Sequence, residues 1–179
     1  MSDDPALDVG RDAHGSSLTW AVEADFLALL LRPGEIDEGR WQDLAGVLMR
    51  KQPRSVLLII LGTVDLPPAR RRWLQEPLHG RALGAAIDSV IGRGIVTALS
   101  WAGLPVSSFP ISRVREAIST IVPADEQVEG GHDPWINRSF ALVRELSRRS
   151  DPSGRLDAML TTAARFGNPV QGVLPSALG

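Results

Sequence analysis

The chain lacks cysteine and tyrosine, and none of its apolar runs approaches the roughly 20 residues that span a bilayer. The absence of cysteine excludes disulfides, thiolate chemistry and the commonest ligand of structural zinc. A dominant charge is also missing, because 19 basic and 21 acidic residues give a net charge of −2 and no field that would attract nucleic acid. The first residues are acidic and lack the basic and apolar regions of a signal peptide, so we expect a cytoplasmic protein.

The most informative segment is Arg81–Val106, which has the pattern of strand, turn, helix and strand. Ala82–Ile87 is apolar and of strand length, and Ser89 is suited to cap the helix that follows. Gly103 supplies a left-handed stop before the next strand. The spacing predicts one buried helix face, which consists of Ile91, Ile95, Leu99 and Ala102. Strands that alternate with helices in this way are typical of an open α/β sheet.

The preceding residues extend the same architecture. Residues 18–22 and 26–32 predict a β-hairpin, and Asp37 predicts the start of a helix that runs to about Gln52. Residues 56–61 form an unalternating apolar run, which indicates a central strand buried on both faces. Further helices are expected from Pro67 and at about 112–122, with a last strand at about 105–109. The order β-β-α-β-α-β-α-β-α predicts a mixed sheet covered by helices.

The two ends of the chain differ from this central part. Residues 1–16 are acidic and have no apolar periodicity, so we expect a disordered tail. A boundary is expected between 123 and 124, followed by a linker, two amphipathic helices and an apolar tail. Neither helix can be stable alone in water, so each must dock on the α/β domain, on the other helix or on a second chain. The candidate partner-binding residues share one helix face: Ile136, Phe140, Val143 and Leu146.

Arg93–Trp101, preceded by Ala85–Ser89, resembles bacterial SpoIIAA-like proteins of the wider STAS (sulfate transporter and anti-sigma-factor antagonist) fold. The resemblance covers about Leu18–Val122. It implies a STAS-like sheet and a non-enzymatic signalling module that binds proteins, in which a serine at the start of the helix after the central strand is phosphorylated. The family has an Asp-Ser-Ser-Gly type motif there, whereas this chain has Gly62–Pro68, in which no residue matches that serine.

Two loops are expected at the carboxyl ends of adjacent strands, where open α/β sheets bind ligands. The candidate ligand-binding residues in and after these loops are Thr63, Asp65, Asp88, Ser89 and Arg93. If the strands are neighbours, hydroxyls and an arginine converge beside two helix amino termini, an arrangement that suits an anion. The same residues are also explained by helix capping and a local ion pair.

No catalytic motif is present, and the three histidines have no paired spacing that would suit a metal. We therefore expect no catalytic residue, no metal and no cofactor. The leading hypothesis is a non-enzymatic, STAS-like regulatory module that binds a protein partner or a second copy of itself, without the usual phosphoserine switch. The alternative is a small-molecule or anion site, possibly enzymatic, at the carboxyl ends of the central strands. A deep pocket there would favour the alternative, and a filled crevice would remove it.

Overall fold

The computed structural model describes residues 8–9, 16–127, 132–151 and 153–166, and it contains a mixed sheet whose six strands lie in chain order. The first three strands are antiparallel neighbours, and the third to the sixth are parallel. The strands are β1 (Asp8–Val9), β2 (Leu18–Glu23), β3 (Phe26–Leu31), β4 (Ser55–Ile60), β5 (Ala82–Ile87) and β6 (Val106–Pro110). The predicted α/β fold with a mixed sheet is confirmed.

In the described part of the chain, six α-helices cover the two faces of this sheet. They are α1 (Glu38–Lys51), α2 (Pro68–Leu78), α3 (Val90–Trp101), α4 (Val114–Ser119), α5 (His132–Ser150) and α6 (Arg155–Phe166). Each of α1, α2 and α3 connects two adjacent parallel strands. Because such crossovers are right-handed, all three lie on the same face. The other face is covered by α4, α5 and α6. None of the helices in these described ranges is long and apolar enough to cross a membrane.

Local sequence signals account for several of the element boundaries. Asp37 caps α1 by accepting a hydrogen bond from the N–H of Arg40 at 3.0 Å. Ser89 caps α3 in the same way, through the N–H of Gly92. Gly103 has a φ of +86°, the left-handed conformation that ends α3 and turns the chain towards β6. The helix expected at about 112–122 is shorter than predicted, because a 3-10 turn at Ile111–Arg113 precedes α4.

The two C-terminal helices pack in one core cluster with the sheet, so of the docking modes left open by the sequence they dock on the α/β domain. In α5, Ile136 is 7% exposed, Phe140 6%, Val143 0% and Leu146 1%, and all four pack against their own chain. They are therefore covered by their own chain, which leaves them no exposed surface for the partner that the sequence analysis expected. The helix lies against β2 and β3, where it covers apolar side chains of the sheet that α4 leaves uncovered.

Two further expectations need correction. Asp8 and Val9 pair with Val22 and Ala21 of β2, so this part of the expected disordered tail forms an edge strand. Residues 1–7 and 10–15 and the apolar tail from 170 lie outside the described residues. The buried face of α3 is also rotated from the predicted one and consists of Gly92, Ile95, Val96 and Leu99. Ile91 is consequently 53% exposed.

Candidate functional site

Asp88 and Ser89 lie at the carboxyl end of β5, where they hold the neighbouring loop after β4. The Asp88 carboxylate accepts a hydrogen bond from the N–H of Gly62 at 2.7 Å. The Ser89 hydroxyl donates to the carbonyl of Gly62 at 3.1 Å and accepts from the N–H of Gly92 at 3.2 Å. Both side chains are thus engaged with the backbone, and they fasten the end of β4 to the start of α3.

Thr63 and Asp65 are exposed in the loop after β4 and line a cleft of about 510 Å³. The cation of this cleft, Arg70, pairs with Glu38 and lies 5.6 Å from the ring centroid of Trp41. The hydrogen bond from Arg70 lowers the pKa of Glu38. The cleft also borders the start of α2, where Pro67 and Pro68 have no N–H to offer to an anion. The cleft therefore offers an anion little free positive charge, because Arg70 is paired, and no backbone N–H from Pro67 or Pro68.

The five candidate ligand-binding residues do not converge on one site. Thr63 and Asp65 share the cleft described above, whereas Asp88 lines a separate cavity of about 200 Å³. Arg93 is exposed on α3 and makes no hydrogen bond or ion pair with the described residues. The capping interpretation accounts for Ser89, and the bond from Gly62 accounts for Asp88. A convergent anion site is consequently not formed by this set.

A larger cavity of about 780 Å³ lies at the opposite edge of the sheet, where β4 and β5 begin. Its two arginines are already engaged. Arg81 donates to the carbonyls of Pro77 and Pro53, and burial lowers its pKa. Arg54 forms an ion pair with Asp125 at 2.8 Å, and the hydrogen bond between them lowers the pKa of the Asp125 carboxyl. Sequence reasoning missed this cavity, because it depends on three chain segments that meet only in the fold.

The outer surface of α3 carries an exposed apolar stripe. Val90 is 79% exposed and Trp101 is 86% exposed, and between them Gly94 has open space where a Cβ would be. The spacing of these residues, with exposed Thr97, places them on one side of the helix. We call Val90, Gly94, Thr97 and Trp101 the α3 stripe, and the exposed side chain of Ile91 adjoins it.

Sequence reasoning also missed the α3 stripe, because it assigned Ile91 to the buried face of the helix. The available signal was the composition of α3, which is apolar around most of its circumference. A helix that packs on one face of a sheet can bury only one side, so an all-round apolar helix must either be covered twice or leave apolar residues exposed.

Comparisons with known proteins found no match: no protein-family model, no curated protein and no solved structure is similar to this chain. Within the described ranges, no cluster of three or more histidine, aspartate or glutamate side chains could hold a metal ion. The site must therefore be interpreted from its own geometry.

Proposed function

We propose that this protein is a non-catalytic regulatory module of STAS-like type that binds a partner protein through the α3 stripe. The observation that carries the proposal is the 86% exposure of Trp101 on a helix whose opposite side is fully packed. A large aromatic side chain at the surface is a characteristic anchor of protein interfaces, since it contributes a large contact area at low entropic cost. Val90 and Ile91 extend the exposed apolar area along the same helix.

The state of the candidate ligand-binding residues also supports protein binding over the alternative. Asp88 and Ser89 are bonded to the backbone of Gly62, so these two candidate side chains are already engaged within the chain. The remaining cleft near Thr63 and Asp65 has its arginine paired with Glu38. A small-molecule site at the carboxyl ends of the strands therefore stays the second candidate, with the cleft of about 510 Å³ as the observation in its favour.

The test is photo-cross-linking inside cells from a photoreactive amino acid at Thr97, in the middle of the stripe. We expect a cross-linked protein whose yield falls strongly in the Trp101→Ala background. Met49→Ala is the matched control, because Met49 is 76% exposed on α1, away from the stripe. Equal loss with both variants, or no cross-link at Thr97, would contradict the proposal. Binding of a metabolite that is lost on Asp65→Asn would support the second candidate instead.

A further inference from the structure

Arginines border the α3 stripe on the side of α2. The Gln75 side chain donates to the carbonyl of Ala102, which fixes the side of α2 that faces α3. Arg71 and Arg72 precede Gln75 by four and three residues, so they lie one turn earlier on that same side of α2. Their guanidinium groups form no hydrogen bond or ion pair with the described residues. One margin of the stripe is thus lined with unpaired positive charge.

The other margin carries Arg93, which is exposed and likewise has no partner among the described residues. Together α2 and α3 contain four arginines and a single acidic residue, Glu76. Of the four arginines, Arg70 alone is paired, with Glu38 of α1. The apolar stripe therefore runs between cationic groups on both sides, within a region of clear positive charge on a chain whose net charge is −2.

The stripe also has a shape that suits helix packing. Val90 and Trp101 stand eleven residues apart, which corresponds to about 16 Å or three turns of helix. Between them, Gly94 has no side chain and an added Cβ would meet no atom within 4 Å, so the helix backbone is accessible at the centre of the stripe. Small residues at such positions let the backbone of a second helix approach closely, and the neighbouring large side chains then pack beside it.

Resting on the proposed function, we propose that the occupant of the α3 stripe is an amphipathic helix of a partner protein, about three turns long, with acidic residues along both margins of its apolar face. Its apolar residues would pack between Val90 and Trp101, over the accessible backbone at Gly94. Its carboxylates would pair with Arg71 and Arg72 on one margin and with Arg93 on the other. Guanidinium groups favour carboxylates because they form two parallel hydrogen bonds with them.

The charge pattern also argues against two other occupants. A second copy that used the same face would place these arginines against one another, and like charges across an interface are unfavourable. An anionic membrane would attract the arginines, but a helix that lies on a lipid surface presents a row of large apolar side chains, whereas Gly94 and Thr97 stand between Val90 and Trp101. A partner helix with acidic margins uses both the charge and the shape of the surface.

The test starts from the cross-link at Thr97 and continues with the segment that it identifies. The cross-linked peptide is located by mass spectrometry, synthesised and titrated against the full chain. We expect acidic residues on both sides of an apolar helical face, and a loss of affinity of about tenfold or more for Trp101→Ala and for the triple variant Arg71→Glu, Arg72→Glu, Arg93→Glu. Affinity should also fall as salt concentration rises. Arg50→Glu, at an exposed arginine of α1, is the control and should bind as the parent does.

The outcomes separate this inference from the proposed function. A cross-linked segment that is neutral or basic, or whose affinity is unchanged in the triple variant, would overturn the inference of an acidic helix. The proposal of protein binding through the stripe would then still stand. A cross-link to a second copy of this chain would also overturn it. No cross-link at Thr97, together with Trp101-dependent binding to vesicles of phosphatidylglycerol and phosphatidylcholine, would overturn both. Circular dichroism of each variant confirms that a loss of binding is not a loss of fold.

Discussion

The helices α3 and α5 both carry a tryptophan and an apolar side, but only the tryptophan of α5 is buried against the sheet. Trp135 of α5 is 1% exposed and packs edge-on against Phe26 of β3, with ring centroids 5.5 Å apart. Its indole N–H points to the carboxylate of Asp25 at 3.4 Å. Trp101 of α3 is 86% exposed. The same residue type thus anchors the core in one helix and forms the most exposed large side chain in the other.

The difference follows from how many apolar residues each helix has and how many the neighbouring elements cover. In α5 the apolar residues form one stripe, and β2, β3, α4 and α6 together cover it. In α3 the apolar residues extend around the helix, while β5, β6 and α2 reach only part of the circumference. The comparison teaches that a functional surface is indicated by the apolar residues that remain exposed after the helix has packed, and not by the amphipathicity of the helix itself.

The largest expected effect is at Trp135. Replacing it with alanine removes a fully buried aromatic side chain and leaves a cavity, so Trp135→Ala should lower the free energy of unfolding by about 3–5 kcal/mol. Urea denaturation followed by circular dichroism measures the change. Trp135→Phe is the control, because it keeps most of the ring volume and should recover much of the stability. A loss below about 1 kcal/mol for the alanine variant would show that α5 is not docked on the sheet.

The next effect distinguishes the two sides of α3. A Cβ at Gly92 would lie 3.3 Å from the Cγ2 of Ile87 and 3.4 Å from the Cγ2 of Ile60, so there is no room for a branched side chain. Gly92→Val should therefore destabilise the protein by about 1–3 kcal/mol. The same substitution at Gly94, where the space is open, serves as the control. Thermal melts that fall equally for both variants would mean that α3 does not pack as described.

Much of the fold could be predicted from the sequence, because its signals are local. Asp37 and Ser89 cap helices through bonds three residues along the chain, and the apolar run of β4 is long enough to identify a buried strand. Predicting where α5 lies requires one further inference. Right-handed crossovers place α1, α2 and α3 on one face, so a strand buried on both faces needs other helices on the second. The α4 helix is only six residues long and cannot cover it alone.

The candidate site was less predictable, because its decisive contacts join distant parts of the chain. The bond from Gly62 to Asp88 spans 26 residues, and no pattern in either segment indicates it. Periodicity identified α3 as a helix, but it averaged over residues that are apolar on nearly every side. Periodicity therefore could not show that the buried face is rotated by one residue, from Ile91 to Gly92. A glycine on the packed side was the missing clue, since it permits close approach to Ile60 and Ile87.

A smaller effect, of opposite sign, is expected at Gly94. The position is exposed inside a helix, and an added methyl group meets no neighbour within 4 Å. Gly94→Ala should therefore raise the free energy of unfolding by about 0.5–1 kcal/mol, because glycine loses more backbone entropy than alanine when a helix forms. Chemical denaturation measures it, with the Gly92 variant as reference. Destabilisation by this substitution would show that the centre of the α3 stripe is already covered.

The smallest effect on stability is expected at Trp101, which completes the comparison with Trp135. Because Trp101 is 86% exposed, Trp101→Ala should change the free energy of unfolding by less than about 0.5 kcal/mol, within the range of ordinary surface substitutions. Denaturation under the conditions used for Trp135→Ala gives the comparison directly, and the variant should lose a component of tryptophan fluorescence that emits as water-exposed indole does. A loss of stability near that of Trp135→Ala would mean that something covers Trp101 in solution. Dependence of the denaturation midpoint on protein concentration would then identify that cover as a second copy.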